Sequence, residues 1–343
     1  MPNVVKAHRV RIRLPMAQRI HLRASDLRGF HRLASEATVG LTDLVEAMHH
    51  TIARAPGVLG ESPRGRTSGI TGLVYKSVRG VTRLVGGGVD ALLGVAASLI
   101  AEKPSSQQRE AVVAALNGVL GDYLVASTNP LAITMCLRAA GTPLAISRPA
   151  LAAAFPDRAH KVLVLLHGLC MNSSQWSRDG HDHGQALARD LGYTPIYLHY
   201  NSGRHISTNG RELADVMEML LRNWPHAIKQ LAIVGHSMGG LVARSACYYA
   251  MLAGHAWPKR LDHLVFLGTP HLGAPLASTG TWTDFLVGIS PYTAPFARLS
   301  KLRSAGINDL RHGYVRDEDW HASAAASTRI ARTPPFPLPT GVR

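Results

Sequence analysis

Residues 230–244 read Gln-Leu-Ala-Ile-Val-Gly-His-Ser-Met-Gly-Gly-Leu-Val-Ala-Arg, and this stretch decides the fold. The unbroken apolar run Leu231–Val234 predicts a short strand buried on both faces. From Met238 to about Gly254 the chain contains no proline and is rich in apolar residues, which predicts a helix. Between strand and helix stands Gly235-His236-Ser237-Met238-Gly239. So short a turn forces its central residue into a strained backbone conformation. Glycine on both sides lets strand and helix pass without side-chain conflict. A serine held there projects its Oγ above the sheet and sits at a helix N-terminus, where the dipole favours negative charge. Ser237 is therefore the candidate nucleophile, and His236 reads as a residue that shapes the turn.

Working outward, the same grammar repeats. Lys161-Val-Leu-Val-Leu-Leu is a second buried strand, ending in His167-Gly168-Leu169, and Thr194-Pro-Ile-Tyr-Leu-His-Tyr-Asn is another. A helix follows it, with Asn209 as the expected cap and Glu212 three residues on. Leu213, Val216, Met217, Leu220, Leu221 and Trp224 form one face of this helix until Pro225 stops it. Leu261 to Thr269 is a fourth strand. Strands alternating with helices predict an α/β protein with a mostly parallel sheet flanked by helices. In a strand–serine–helix arrangement of this kind, an oxyanion is held by the backbone N–H after the serine and by one from an earlier loop. Met238 and Leu169 are the expected donors. His167 reads as a structural histidine that fixes its loop.

Upstream of Pro156 the character differs, so the chain divides into a basic arm and helical region, 1–155, and an α/β core, 156–343. A break falls at Ala55-Pro56-Gly57 and a linker at 61–70. Residues 70–140 read as helical, with a capping box at Ser105 and Gln108. Beyond it Val112, Val113, Leu116, Val119, Leu120, Tyr123 and Leu124 recur at helical spacing and read as core. The apolar stretch Leu84–Ala101 contains Asp90 and Gly86-Gly87-Gly88, and reads as a buried or interfacial helix in preference to a membrane span.

The 343 residues carry a formal net charge of +15. Residues 1–35 hold eight Lys or Arg against Asp26 alone, a basic arm suited to peripheral contact with an anionic membrane. No helix-turn-helix, zinc or aromatic-stacking signature accompanies it, which argues against nucleic acid. The three cysteines, Cys136, Cys170 and Cys247, show neither disulfide nor metal-ligand spacing. The N-terminus has no uninterrupted apolar run of the secretory kind. A cytoplasmic protein, touching membrane at most peripherally, is the expectation. No dinucleotide turn or phosphate loop occurs, so no cofactor is expected, and no metal.

Six segments taken together are more specific than the turn alone: HGLCMNSSQW (167–176), YNSGRHISTNGREL (200–213), VGHSMGGLVARSA (234–246), LGTPHLGAPL (267–276), PYTAPFARL (291–299) and RSAGINDLR (303–311). Over residues 156–343 they resemble bacterial α/β-hydrolases of the lipase/esterase kind, related to GPI inositol-deacylase (PGAP1-like) proteins. The resemblance implies an α/β-hydrolase fold with Ser237 as nucleophile and the Leu169 and Met238 backbones as oxyanion hole. It implies hydrolysis of a carboxylic ester, with an ester or lipid as substrate. An acyltransferase or thioesterase would use the same constellation.

The resembling proteins carry their acid in a Gly-Asp-Gly-type loop after a further strand, and their histidine later still. No Gly-Asp-Gly occurs here, and the chain stops at Pro334-Pro-Phe-Pro-Leu-Pro-Thr-Gly-Val-Arg343. The expectation is a fold that lacks its last strands, with the general base and acid unknown. The alternative function is then a catalytically incomplete scaffold acting as a membrane-associated binding module. His271, just past the fourth strand, reads as structural. Among Asp284, Asp309, His312, Asp317, Asp319 and His321 no pair stands out as partners for Ser237, and the run 316–321 reads as a polar surface loop.

Overall fold

The computed structural model describes residues 23–53, 69–99, 106–156, 160–274, 304–325 and 337–342. In chain order, helices α1 (Ala24–Ala53), α2 (Gly69–Leu99) and α3 (Gln107–Ala126) come first. Strands β1 (Cys136–Ala139) and β2 (Thr142–Pro143) and helix α4 (Arg148–Ala154) follow. Then come β3 (Lys161–Leu166), the small hairpin β4 (Ser177–Arg178) and β5 (His181–Asp182), α5 (His183–Leu191) and β6 (Thr194–His199). The rest is α6 (Ile206–Asn223), β7 (Gln230–His236), α7 (Met238–Leu252), β8 (Leu261–Leu267), α8 (Ala305–His312) and α9 (Asp317–Ala325).

Six strands form one sheet in the order β2-β1-β6-β3-β7-β8. The four expected strands are its parallel part, β6-β3-β7-β8, with Val164 in register with Ile196 on one side and Ile233 on the other. Ile233 pairs in turn with Leu264. Successive side chains point to opposite faces. Val164, Ile196 and Ile233 meet Leu213, Met217 and Leu241 in one core layer, while Leu163, Leu165 and Val234 meet Trp176 in another. Burial on both faces explains why β3, β6 and β7 read as apolar runs, each fully buried Leu, Ile or Val contributing about 1.5–3 kcal/mol, whereas β8 leaves Val265 and Leu267 exposed.

The sequence reading placed no strand before Lys161 and took residues up to 140 as helical. The helix α3 in fact ends at Ala126, and β1 pairs antiparallel with β6, Leu137 against Leu198. The turn between β1 and β2 is Ala140-Gly141, both at positive φ, the two-residue turn whose twist suits a hairpin. Arg138 of β1 pairs with Glu110 of α3 at 2.8 Å. A four-residue strand carrying a charge has neither the length nor the alternation to announce itself.

Two expected caps are also corrected. The cap of α3 is Ser106, whose side chain accepts from Arg109 N at 3.2 Å, and Ser105 lies outside the described residues. The helix α6 begins at Ile206, three residues before Asn209. Asn209 is buried in the first turn and donates to Asn201 O at 2.9 Å, while Glu212 pairs with Arg204 at 2.6 Å. The capping work passes to Asp309 of α8, whose carboxylate accepts from Ile206 N at 2.8 Å and from His205 Nδ1 at 3.0 Å. A helix N-terminus with orphan N–H groups welcomes a carboxylate from anywhere in the chain.

The helices α1 and α2 form a hairpin held on α3 through α1. Arg109 of α3 grips Asp26, its Nε at 2.6 Å, and Asn129 Nδ2 donates to Gly29 O at 3.0 Å. Asp90 of α2 receives Arg28 Nε at 2.9 Å and Arg32 Nε at 2.6 Å from α1, and Arg79 reaches Asp43 at 2.9 Å. These bonds hold the Asp90 carboxyl well below the usual carboxylate range. The charge that interrupted the apolar stretch from Leu84 is thus the clasp between two helices. Among the described residues no helix is long and apolar enough to cross a membrane. Arg28 and Arg32, read as part of a basic arm, belong to this clasp. Residues 1–22, the break at 55–57 and most of the linker lie outside the described residues.

Candidate active site

Ser237 sits at φ 51°, ψ −118°, immediately before α7. Its N–H donates to Leu267 O at 2.8 Å, and Gly240 N donates to Ser237 O at 3.1 Å. Strand and helix cross so closely that a Cβ added to Gly235 would lie 2.6 Å from the Gly240 backbone. One added to Gly239 would lie 2.5 Å from Leu166 O and 2.6 Å from His167 O. Both glycines of the motif are required by contact with backbone, which cannot rotate away. A Cβ on Gly168 would stand 3.3 Å from Ser237 Cβ, so the loop after β3 lies directly against the serine.

That loop is fixed from several sides. Cys170, at φ 57°, donates its N–H to Ser202 Oγ at 3.0 Å, and Met171 N donates to Gly168 O at 3.3 Å. His167 is buried, with Nδ1 bonded to Gly168 O at 2.9 Å and Nε2 facing Tyr200 N at 3.4 Å. Its ring stacks on Tyr200, and burial pushes its pKa down to about 4. A neutral ring with both nitrogens occupied is the structural histidine expected. The side chains of Leu169 and Met238, the two expected oxyanion donors, are both buried in the core. They anchor the loop and the helix start, so their identity matters more than a role through backbone alone implies.

His236 is half-buried, which lowers its pKa, and meets the Trp176 ring edge-on. His271, past β8, accepts from Arg244 Nη1 at 3.1 Å through Nδ1 and packs edge-on against Phe266. Burial and the Arg244 charge both lower its pKa.

The remaining candidates are not gathered at Ser237. Asp309 caps α6, and His312 Nδ1 bonds Asn308 O at 2.9 Å within its own helix. Asp317 pairs with Arg211. Asp319 accepts from Val315 N and Arg316 N, both at 3.0 Å, and pairs with Arg316. His321 stacks on Trp320. Residues 317–321 therefore start the helix α9 instead of forming a surface loop. Asp284 lies outside the described residues. Among the described residues no cluster of three or more metal-ligating side chains occurs.

A feature the sequence reading missed is a cavity of about 730 Å³ between α5 and the sheet. Its floor is Leu165, Val234 and Val265, its wall Trp176 and Leu187, and its end beside Ser237 is His167, Met171 and His236. Alternate residues of three strands make the floor, a pattern visible only once register is known.

A family profile described as the PGAP1-like alpha/beta domain matches residues 158–333. The chain belongs to this family. The PGAP1-like domain takes in everything from β3 to α9, with the α1–α2 hairpin, α3, β1, β2 and α4 before it. Among solved structures, the chain is similar to the Bacillus licheniformis lipase BlEst2 in its mature form. Identity is 22% over 46% of this chain and 58% of that one, with a TM-score of 0.33. For the propeptide form of BlEst2 the values are 23%, 46%, 31% and 0.34. The chain thus spans less than two thirds of either lipase chain. No curated protein sequence matches it.

Proposed function

We propose that this PGAP1-like domain is a serine hydrolase of carboxylic esters with Ser237 as nucleophile. The observation that carries the reading is the strained turn of Ser237 at a helix N-terminus, with the loop after β3 packed against it. Ser237 Oγ attacks the ester carbonyl carbon, passing its proton to a base, and the carbonyl oxygen becomes an oxyanion. The carbonyl reforms as the C–O bond to the alcohol breaks, and the alcohol leaves with a proton. Water then releases the acid from the serine.

Two N–H groups are suited to the oxyanion. Met238 is the first residue of α7, so its N–H has no acceptor within the helix. Leu169 N follows the glycine that abuts Ser237. One such donor is worth roughly 10²–10³ in rate. The apolar cavity ending at His236 supports an apolar acyl group, lipid esters included.

Among the described residues no imidazole or carboxylate hydrogen-bonds to Ser237 Oγ, so the reading assigns no base. That observation favours a second reading, a scaffold that binds an ester without turning it over. Hydrolysis of p-nitrophenyl butyrate and octanoate by the purified full chain separates the two. Turnover that falls roughly 10³-fold or more in Ser237→Ala supports the enzyme. Equal, background-level rates for the two folded proteins leave only the scaffold.

A further inference from the structure

The loop after β3 is tied to Tyr200-Asn201-Ser202, the stretch that follows β6. Tyr200 Oη donates to His167 O at 2.8 Å, and Ser202 Oγ accepts from Cys170 N at 3.0 Å. Met171 N is satisfied by Gly168 O at 3.3 Å. Between these fixed points lies Leu169 N, which meets no acceptor among the described residues. The two N–H groups that follow it are paired within the protein, and the one expected to meet an oxyanion is left over.

Cys170 stands at φ 57°, a conformation that a residue with a side chain holds only where its surroundings impose it. Two neighbours impose it here. One is α3: a Cβ added to Gly118 would lie 2.9 Å from both Cα and N of Cys170, so helix and loop are in direct contact. The other is the hydrogen bond to Ser202 Oγ. Tyr200 and Ser202 are themselves held, because Asn201 between them donates to Gly121 O of α3 at 3.0 Å and its carbonyl accepts from Asn209 Nδ2 of α6 at 2.9 Å. All three residues are buried. The Cys170 N–H belongs to the peptide adjoining the one that carries Leu169 N–H. Without the Ser202 acceptor the strained residue is free to relax, and the Leu169 donor turns with it.

We infer that Ser202 is a positioning residue of the oxyanion hole, with Tyr200 securing the other end of the loop: it acts through Cys170 N and keeps Leu169 N aimed at the developing charge. The inference rests on the hydrolase reading. It adds that α3, which precedes the PGAP1-like match, is part of the support of the site.

The test is steady-state hydrolysis of p-nitrophenyl butyrate by the full chain, comparing wild type, Ser202→Ala and Tyr200→Phe well below their melting temperatures. Inhibition by an aliphatic trifluoromethyl ketone is measured alongside. Ser237 Oγ adds reversibly to the carbonyl carbon of this ketone, the Oγ proton passes to the base, and the ketone oxygen becomes an oxyanion in the same hole. Ser202→Ala should lower kcat roughly ten- to a hundredfold, with KM within about twofold of wild type, because the donor acts on the transition state. Its inhibition constant for the ketone should rise by the same factor as kcat/KM falls. Tyr200→Phe should show the same split. A role in stability alone would lower the melting temperature and leave kcat and the inhibition constant where they were. A folded Ser202→Ala that keeps both within about twofold of wild type, or whose whole loss lies in KM, overturns the inference and leaves the hydrolase reading standing. If Ser202→Ala does not fold, the same criterion applied to Tyr200→Phe decides. Wild-type turnover no faster than that of Ser237→Ala removes the hydrolase reading and this inference with it.

Discussion

Replacing Gly239 with alanine sets two effects of opposite sign against each other. Gly239 is the second residue of α7, and helix propensity alone favours alanine there by at most about 1 kcal/mol. The space does not allow it. The new Cβ would stand 2.5 Å from Leu166 O and 2.6 Å from His167 O, against an ordinary carbon–oxygen contact of roughly 3.3 Å. Helix and strand must therefore separate by several tenths of an ångström, in a layer where Leu166, Met238 and Leu241 are fully buried. Overpacking of this sort costs about 1–3 kcal/mol, and the upper end applies because both obstructing atoms are backbone. The net expectation is a loss of about 1–2 kcal/mol, or a melting temperature lower by roughly 2–8 °C for a domain of this size. Thermal and urea unfolding of wild type and Gly239→Ala measure it. An unchanged or raised melting temperature would mean that the close crossing at Ser237 is not as described.

Ser237→Gly should instead stabilise the fold by about 1 kcal/mol, since glycine relieves the φ of 51°, whereas Ser237→Ala keeps the strain; urea unfolding compares the two. Asp309→Ala should cost about 2–3 kcal/mol by leaving Ile206 N–H unpaired, and Asp309→Asn clearly less because an acceptor oxygen remains; equal losses in urea melts would refute its role as a cap. Asp90 has a depressed folded pKa, so its contribution is present above the unfolded value near 3.8 and is lost as pH falls toward the folded one. The melting-temperature gap between wild type and Asp90→Asn, worth about 1 kcal/mol at pH 6, should therefore shrink below about pH 4.

What could be read beforehand follows from how local each signal is. The strands β3, β6 and β7 are apolar runs because both their faces are covered, whereas β8 leaves Val265 and Leu267 exposed, and α6 and α7 keep helical spacing. The turn at Ser237 is legible because the motif itself is contiguous, although only Gly235 is demanded by a neighbour in sequence, Gly240, while Gly239 is demanded by Leu166 and His167 of the distant β3 end. The cap of α6 is not legible, because Asp309 arrives from about a hundred residues away while Asn209 offers a plausible local substitute. Asp90 looks like a flaw in an apolar helix until Arg28 and Arg32 are brought beside it. The cavity beside Ser237 escapes for a similar reason, since its lining is drawn from three strands, α5 and the loop holding Trp176.

The central claim is that Ser237 is a working nucleophile. Intact-mass analysis of the purified full chain after exposure to a fluorophosphonate tests it most directly, with Ser237→Ala treated in parallel. The account predicts a single phosphonyl adduct on the wild type, mapped to the peptide containing Ser237 and absent from the alanine variant. A cooperatively folded wild-type chain that gains no adduct, or an adduct that persists in Ser237→Ala, would contradict it.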